Sequence, residues 1–498
     1  MTATLPDRAH ASAVAALTAS YAAIPEGSQV RLAKRTSNLF RPRSSQPQAG
    51  LDVRGLDGVL SVDPVARTAD VQGMCTYERL VAECLPHGLM PKVVPQLKTI
   101  TLGGAVTGLG IESSSFRNGL PHESVLEMDV LTGAGQLLTV SPSQHPDLFA
   151  GFPNSYGSLG YAVRLLIELD PVRPFVALRN VRFADLEALC AAIGQITAER
   201  AWAGEPVDFL DGVLFGTNQA YLCLGRWADS PAEAGVTAAS DYTGQQIYYR
   251  SIPARERDCL TVSDYLWRWD TDWFWCSGAF GVQNPVIRRL WPARYRRSDF
   301  YHRLISLDHR FKVAEKIDRL RRQPPRERVV QDVEIPLHRT PDFLRWFAGN
   351  VAMSPVWLCP LMLREPAAGL PGSDPHGSDA RGSDPQGSDP HGADRREDRH
   401  GSVKPWPLYP LSPGQIYVNV GFWGTVAITD GRADGDVNRL VEAAVAEHDG
   451  HKSLYSDAYY DRASFAAVYG GAVYAELKDR YDPGHRLTGL YEKAVGRR

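Results

Sequence analysis

Residues 99–115 read Thr-Ile-Thr-Leu-Gly-Gly-Ala-Val-Thr-Gly-Leu-Gly-Ile-Glu-Ser-Ser-Ser and hold four glycines, with hydroxyl side chains at both ends. Glycine lets a backbone approach a ligand closely and adopt conformations that other residues avoid. Consecutive main-chain N–H groups in such a loop form concave nests that bind anions, including phosphates. The stretch therefore predicts a cradle for the pyrophosphate of a dinucleotide.

The spacing of these glycines differs from that of a Rossmann fingerprint. That fingerprint needs a strand, Gly-x-Gly-x-x-Gly and a helix within one unit. Gly103, Gly104, Gly108 and Gly110 do not fit this spacing, and a Ser-rich segment follows them in place of an amphipathic helix. A glycine-rich tight turn in a β-structure is the alternative interpretation of the stretch.

The rest of the chain alternates short β-type runs with helical segments, which predicts an α+β fold without regular βαβ units. Residues 329–335 alternate in polarity and predict a half-buried strand. The other predicted strands are 51–53, 59–62, 68–72, 124–131, 136–140, 161–169, 175–183, 212–215, 220–224 and 414–421. The predicted helices are 12–24, 77–85, 298–321, 435–448, 461–480 and 486–496.

Residues 371–403 repeat Gly-Ser-Asp-Pro units within a stretch of Gly, Ser, Asp, Pro and Arg. Such a segment buries too little apolar surface to order itself, so we expect a disordered insert at 367–404. Its histidines lack a flanking scaffold, and no metal site is predicted.

Composition excludes several classes of protein. The net charge of −3 gives no general attraction to nucleic acid, and no pair of the seven cysteines has CxxC spacing. The N-terminal residues do not resemble a secretory signal, and no stretch of about 18 apolar residues is present to span a bilayer. We therefore expect a cytoplasmic protein with reduced cysteines. We add to this expectation a peripheral contact with the inner face of the cell membrane.

The glycine stretch, Gly119-Leu120, Thr132-Gly133-Ala134-Gly135 and Gly157-Ser158-Leu159-Gly160 together resemble vanillyl-alcohol-oxidase-type (PCMH) FAD domains. The resemblance to the delta-24-sterol reductases (diminuto group) extends to three later motifs. They are Pro355-Val356-Trp357-Leu358-Cys359-Pro360, Ile416-Tyr417-Val418-Asn419-Val420-Gly421 and Leu454-Tyr455-Ser456-Asp457-Ala458-Tyr459. The chain is also similar to bacterial flavoproteins that reduce a 10-methylene fatty acyl chain to its 10-methyl form.

The resemblance implies a two-part FAD-binding domain at 1–172 and an α+β substrate (cap) domain at 173–366. The insert at 367–404 would interrupt this domain, and 405–498 would complete it and return to the flavin. It also implies non-covalent FAD, since no His occurs in 29–50, and NADPH as electron donor.

Two loops would clamp the FAD pyrophosphate if the resemblance holds. The first is the turn at Lys34, with Thr36, Ser37 and Asn38 adding side-chain donors to the backbone N–H groups. The second loop is the glycine stretch. Its residues implied at FAD are Thr101, Leu102, Gly103, Gly104, Gly108, Gly110, Ile111, Ser113, Ser114 and Ser115. Neighbouring segments would add Gly157, Gly160, Val163 and Lys493.

Reduction of an unactivated alkene needs a proton donor in a dry pocket, because hydride addition alone would leave an unstabilised carbanion. The candidate acids are Glu112, His122, Tyr417, Asp457 and Tyr459. Glu112 has an alternative role in bracing its own loop, and the two tyrosines have one as core aromatics.

The segment 265–275 holds Trp267, Trp269, Trp273 and Trp275, and arginines follow it at 288–297. Tryptophan beside arginine suits a membrane interface, where the rings lie at headgroup level. An aromatic core corner with a basic helix face is the alternative, and nucleic-acid binding is disfavoured by the charge.

The predicted function is therefore NADPH-driven, FAD-dependent reduction of a lipid C=C bond, with a methyltransferase as a partner that supplies the methylene substrate. An alcohol or sugar oxidase or dehydrogenase of the same fold is the first alternative. A lipid-binding protein without flavin is a second, which would purify without a yellow chromophore.

Overall fold

The computed structural model describes residues 5–33, 49–311, 323–366, 370, 404–429 and 431–495. The first predicted cofactor loop, with Lys34, Thr36, Ser37 and Asn38, lies outside the described residues. So do nearly all of the predicted insert at 367–404 and the end of the predicted helix 298–321.

The strands within the described residues are β1 Val30–Leu32, β2 Ala49–Leu51, β3 Val59–Asp63, β4 Thr68–Gln72, β5 Leu89–Pro91, β6 Val125–Thr132, β7 Leu137–Val140, β8 Gly160–Pro171, β9 Phe175–Phe183, β10 Ala201–Trp202, β11 Glu205–Pro206, β12 Phe209–Gly216, β13 Gln219–Ala228, β14 Arg257–Thr261, β15 Arg326–Pro336, β16 Val356–Met362, β17 Ile416–Ala427 and β18 His451–Lys452. The helices are α1 Leu5–Ala22, α2 Tyr77–Cys84, α3 Leu102–Gly108, α4 Ser115–Asn118, α5 Pro146–Gly151, α6 Leu186–Glu199, α7 Tyr248–Ser251, α8 Val262–Trp267, α9 Pro285–Leu290, α10 Ser298–Phe311, α11 Thr340–Asn350, α12 Asp436–Glu447, α13 Arg462–Val468, α14 Gly471–Tyr481 and α15 Leu490–Ala494. Helices are interspersed with strands that pair almost entirely in antiparallel sheets, and the α+β prediction is confirmed.

The first sheet has six strands in the order β3-β4-β8-β6-β7, and β5 also pairs with β8. Its pairs are antiparallel, and β8 runs through the centre between β4 and β6. β6 and β7 form an antiparallel hairpin through the turn at Thr132–Gly135. Val71, Val130 and Leu165 are fully buried here because the inward-facing positions of the strands are apolar.

The second sheet has eight antiparallel strands in the order β14-β9-β13-β12-β16-β17-β15-β18. One face packs against α6, α11 and α12 in a core that includes Val333, Val420 and Phe347. The opposite face, with Trp357 and Trp423, belongs to the same apolar core as the first sheet. We call this the inner face. The two sheets therefore meet across the inner face. In the chain, β8 is the last strand of the first sheet and ends at Pro171, and β9 is the first strand of the second sheet and begins at Phe175.

The C-terminal segment returns to the first sheet. The helix predicted at 461–480 is broken in two, because Gly470 and Gly471 both have positive φ between α13 and α14. Lys478 on α14 is buried, and its Nζ donates to Ser158 O, Leu487 O and Asp482 Oδ2 at 2.8, 2.7 and 2.5 Å. This buried ion pair fixes the C-terminal residues beside the loop that precedes β8.

Candidate active site

The glycine stretch forms a helix, α3, where an extended loop or a tight turn was expected. Thr101 caps it by accepting from Gly104 N at 3.3 Å. Gly103 N donates to Gly73 O at 3.0 Å, and a Cβ at Gly103 would lie 2.7 Å from that oxygen. Leu102 N donates to Cys75 O. The first N–H groups of α3 therefore hold a neighbouring loop, and Gly103 is needed for that contact; the expectation that they form the anion nest is wrong.

The backbone N–H groups that are available to a ligand come directly after helix α3. Leu109 has φ of +65°, and its N–H and those of Gly110 and Ile111 have no protein acceptor among the described residues. These three residues are partly exposed, whereas Ser113, Ser114 and Ser115 after them are buried. Three consecutive free N–H groups form the kind of backbone site that binds oxygen-rich ligands. The structure thus fits a bound FAD at residues 109–111.

Tyr156, just before the 157–160 element, contacts the end of α3 directly before this segment. Tyr156 has a positive φ, its N–H donates to Thr107 O at 3.0 Å, and its hydroxyl donates to Gly108 O at 2.7 Å. Lys493 Nζ donates to the carbonyls of Tyr156 and Gly157, both at 2.8 Å. The glycine stretch, the 157–160 element and the C-terminal lysine therefore come together.

Gly160 and Val163, which the resemblance implies at FAD, contact backbone atoms of neighbouring segments. A Cβ at Gly160 would lie 2.8 Å from Leu131 O, so the glycine permits the close pairing of β8 with β6. Val163 is buried, and its carbonyl accepts from Gly73 N at 2.7 Å. Val163 thereby holds the loop 73–75, which packs on α3.

Glu112 braces its own loop. Its Oε1 accepts from Ser113 N at 2.8 Å and from Ser113 Oγ at 2.7 Å, and Arg268 Nη2 lies 3.5 Å away. Arg268 also pairs with Asp211 at 3.0 Å, and all three side chains are buried. Burial raises the pKa of Glu112, and the Arg268 guanidinium opposes the shift. The bracing contact weighed from the sequence is present.

The inner face of the second sheet carries acidic groups that the sequence reasoning missed. β15 is buried on both faces, so the expectation of a half-buried strand is wrong. Asp332 and Glu334 alternate with Val333 and face the first sheet. Asn419 lies opposite Glu334 in β17. The two acidic residues at alternate positions, 332 and 334, were the available indication, but alternation alone does not distinguish a face exposed to water from a face at a ligand site.

Asp332 is held in a chain of hydrogen bonds. Trp423 Nε1 donates to the Tyr455 hydroxyl at 2.8 Å, Tyr455 bonds the Asp332 carboxyl, and Asn419 Nδ2 lies 3.4 Å from Asp332 Oδ1. Burial raises the pKa of Asp332 to about 7, and the bonds from Asn419 and Tyr455 oppose the shift. An acid of this strength is close to half protonated at neutral pH, the range best suited to proton transfer.

Asp332 and Tyr455 lie on the inner face, and we call the partly accessible surface at these two residues the cleft. Both keep part of their surface accessible although protein surrounds them. Burial raises the pKa of Tyr455, and nearby Asp332 and Tyr156 raise it further. Tyr156, which interacts electrostatically with Tyr455, also donates its hydroxyl to Gly108 O at the end of α3.

Glu334 forms the second polar group on the inner face. Its Oε1 accepts from Ser453 Oγ at 2.6 Å, while its Oε2 has no partner among the described residues. Burial raises the pKa of Glu334 well above its usual range, with Asp332 adding to the shift. We therefore regard Glu334 as a neutral, buried neighbour of Asp332.

Of the five predicted acids, Asp457 and Tyr459 lie outside this cluster. Asp457 Oδ2 accepts from Arg328 Nη2 at 2.9 Å, and the ring of Tyr459 packs under Arg439 and beside Gly435. An ion-paired carboxylate and a packed ring explain both residues without a ligand, so the structure corrects their assignment as acids.

His122 and Tyr417 are also in other surroundings. His122 is buried with its ring edge on Trp406 at 4.5 Å, and burial lowers its pKa to about 3, so it carries no extra proton to donate at neutral pH. Tyr417 lies on the inner face, but its hydroxyl is engaged with Ser412 N and Gln415 Oε1, both at 3.2 Å. Burial raises the pKa of Tyr417.

The predicted tryptophan belt is an aromatic core corner, the alternative interpretation. Trp267, Trp269 and Trp273 are buried, and only Trp275 is partly exposed. Trp275 Nε1 donates to Trp423 O at 3.2 Å. These rings are unable to reach headgroups, because they fill the space between α8 and the inner face.

Within the described ranges, no helix combines the length and apolar character needed to cross a membrane. In the same part of the chain, no group of three or more His, Cys, Asp or Glu side chains is arranged to hold a metal ion.

Comparison with known proteins agrees with this site. Residues 14–141 match the family described as FAD binding domain. The chain is 23% identical over 446 residues to Delta(24)-sterol reductase of Homo sapiens, which covers 87% of this chain and 75% of that protein. It is 23% identical over 486 residues to Delta(24)-sterol reductase of Arabidopsis thaliana, covering 90% and 77%. Cytokinin dehydrogenase 9 of Oryza sativa subsp. japonica is 31% identical over 191 residues, covering 38% of this chain and 36% of that protein.

The matched range 14–141 includes α3 and the free N–H groups at 109–111, so the prediction of FAD binding is confirmed at the level of the domain. Residues 14–141 are therefore similar to an FAD binding domain, and the chain as a whole is similar at low identity to the Delta(24)-sterol reductases.

Proposed function

We propose that this protein is an FAD-dependent reductase of a lipid C=C bond with NADPH as its electron donor. Its substrate in this proposal is the 10-methylene group of a phospholipid-bound fatty acyl chain, which becomes a 10-methyl group. The observation that carries the proposal is Asp332, a partly accessible acid that Tyr455 and Asn419 bond, on the inner face that shares its apolar core with the first sheet.

The chemistry of the bond explains the need for such an acid. The reaction adds a hydride to one alkene carbon and a proton to the other, so that two electrons from NADPH end in a new C–H bond. Protonation of the terminal CH2 places positive character on the tertiary carbon, where the hydride is accepted. A proton donor with a pKa near neutrality, in a site that excludes water, performs this step best.

Asp332 is the proton donor in this proposal. Tyr455 and Asn419 hold its carboxyl from two sides, and Trp423 fixes the Tyr455 hydroxyl. This arrangement keeps one oxygen pointed toward the cleft in a defined direction. The proton returns to Asp332 from solvent after each turnover.

The cleft wall beside Asp332 is aromatic. Phe274 stacks on Trp423 with ring centroids 4.2 Å apart and packs against Trp357 at 5.5 Å. Cys359 is fully buried on the adjacent strand. Such a wall excludes water and suits an acyl chain better than a sugar.

When bound, FAD supplies the hydride that it has received from NADPH. The N–H groups of Leu109, Gly110 and Ile111 would hold it by its oxygens, with Tyr156 and Lys493 supporting the adjacent loop. The turn with Lys34, Thr36, Ser37 and Asn38 is the other loop that holds FAD in this proposal.

Two alternatives retain the fold. A sterol-type C=C reductase would use the same acid on another apolar substrate, as the names of the similar sterol reductases suggest. An alcohol or sugar dehydrogenase would use the Asp332 carboxylate as a base; the match to cytokinin dehydrogenase 9 over 191 residues supports dehydrogenation but neither of these substrates.

Anaerobic mixing separates these functions. NADPH should bleach the visible absorbance of the bound flavin, and a phospholipid with a 10-methylene acyl chain should restore it. D332N should still be bleached by NADPH but should not be reoxidised by the lipid. Bleaching by an alcohol or sugar and none by NADPH would exclude the reductase, while reoxidation by a Δ24 sterol alone would exclude the acyl substrate.

A further inference from the structure

Helix α9 exposes an unusual apolar surface. Val286, Ile287 and Leu290 are 68%, 41% and 79% exposed, and they are three of the seven large hydrophobic side chains that are exposed in the described part of the chain. Their spacing places Val286 and Leu290 one turn apart on the same side of the helix. A contiguous apolar patch on a folded chain marks an interaction surface.

The opposite side of α9 is fixed to the core, so the apolar side has no freedom to turn inward. Arg288 is buried and its Nη1 pairs with Asp272 Oδ1 at 2.7 Å, while its Nε donates to Gln245 O at 2.7 Å. The Asn284 side chain caps the helix by accepting from Val286 N. A buried guanidinium with its charge paired in this way holds α9 in one orientation, because loss of the pair would leave a charge in the interior.

The charge around this patch is positive. Five arginines and no acidic residue occur between Asp272 and Asp299. Arg289 and Arg294 are exposed on either side of Leu290. Aliphatic side chains flanked by exposed guanidiniums match the boundary between acyl chains and phosphate headgroups in an anionic bilayer.

A short series of contacts connects this surface to the candidate active site. Trp423 O accepts from Trp275 Nε1 at 3.2 Å, and Gln283 Nε2 donates to Trp275 O at 2.9 Å. α9 begins two residues after Gln283. The patch therefore lies next to the segment that forms one wall of the cleft.

We propose that Val286, Ile287 and Leu290, with Arg289 and Arg294, form a surface that docks this protein onto an anionic lipid bilayer. The surface replaces the tryptophans 267–275 as the membrane contact. Docking itself does not depend on the reaction assigned above. It does place the cleft beside the lipid phase, from which a phospholipid acyl chain would enter.

The test is co-sedimentation of the purified holoprotein with vesicles of phosphatidylglycerol and phosphatidylcholine, compared with phosphatidylcholine alone. The triple variant V286S/I287S/L290S should weaken partitioning by roughly tenfold or more, since it removes the aliphatic side chains that would enter the acyl region of the bilayer. R289Q/R294Q should remove most of the preference for phosphatidylglycerol. The matched control L126S/L137S removes two exposed leucines on β6 and β7 and should bind as the unaltered protein does.

Flavin content and thermal midpoint verify that each variant is folded. Unchanged vesicle binding by the folded triple variant would overturn the proposal, as would failure of the unaltered protein to bind anionic vesicles. A dimer that dissociates in the triple variant, without vesicle binding, would assign α9 to self-association and also overturn it. Failure of the reductase assay with vesicle binding intact would count against the proposed reaction alone.

Discussion

Gly421 on β17 lies directly opposite Asp332 on β15, and a Cβ at Gly421 would be 2.3 Å from Asp332 Oδ1. The same Cβ would lie 2.7 Å from the Trp423 ring. The space that the acid occupies therefore exists because its cross-strand neighbour has no side chain. The inner face is built around the carboxyl of Asp332.

We expect G421A to displace the Asp332 carboxyl from Tyr455 and Asn419. Overpacking of this kind costs about 1–3 kcal/mol of unfolding free energy, and the loss of alignment should lower kcat. Thermal unfolding and steady-state assays measure both effects. G424A is the matched control on the same strand, since its Cβ would meet only the flexible side chain of Met353. Equal activity of the two variants would show that the position of Asp332 is unimportant.

The second prediction concerns pH. The pKa of Asp332 is raised by burial to about 7, so the folded state binds this proton more tightly than the unfolded state. Its contribution to stability is complete below the unfolded pKa near 4 and is lost as pH rises through about 7.

D332N should therefore raise the thermal midpoint relative to the unaltered protein more at pH 8 than at pH 4, because it removes the buried charge. Reduction of the alkene by the unaltered protein should decline above pH 7 as the acid ionises. Thermal scans and rates at both ends of this range test the assignment, and a D332N effect that is independent of pH would refute it.

The third prediction concerns the C-terminal ion pair. K478M leaves the buried Asp482 carboxylate without its cation, although Arg486 N and Leu487 N still donate to it. Removal of one partner from a buried pair costs about 3–5 kcal/mol. In urea unfolding, R462M should cost less than about 1 kcal/mol, since the Arg462–Glu492 pair is exposed. Similar costs for the two variants would show that the buried pair does not anchor this segment.

The fourth prediction addresses cofactor retention. Gly104 is exposed at the start of α3, and a Cβ there would lie 2.8 Å from Thr101 Oγ1, the cap of the helix. G104V should disturb the cap and the loop that follows, and FAD should be lost during purification. The ratio of flavin to protein absorbance measures this loss. G349V, at an open exposed position on α11, is the control, and full FAD content in both variants would argue that this end of α3 does not support the cofactor.

Local patterns in the sequence predicted many elements of the fold. β9 spans Phe175–Phe183 as predicted. α2, β6 and β7 begin and end within one residue of the predicted ranges 77–85, 124–131 and 136–140. These elements depend on neighbours in sequence. Helix α3 was missed because its cap residue, Thr101, precedes glycines that are poor helix formers, and contact with the loop at Gly73 stabilises it instead.

The candidate site was predicted only in part. The segments around 99–115 and 157–160 and the Lys493 side chain do contact one another. The resemblance to FAD domains had indicated each of them. Asp332 was missed because both faces of β15 are covered by parts of the chain distant in sequence, one by helices and the other by the core shared with the first sheet. The tryptophans were misassigned for a related reason: an aromatic run looks the same whether it faces lipid or a neighbouring sheet.

The most direct measurement is the conversion of a defined phospholipid. Purified protein, NADPH and a phospholipid with a 10-methylene acyl chain would be incubated without oxygen, and the released fatty acids analysed by mass spectrometry. The account predicts a 10-methyl chain that has gained two hydrogen atoms, formed only with NADPH and lost in D332N. A 10-methylene chain that persists, with the flavin reduced by NADPH, would contradict the account.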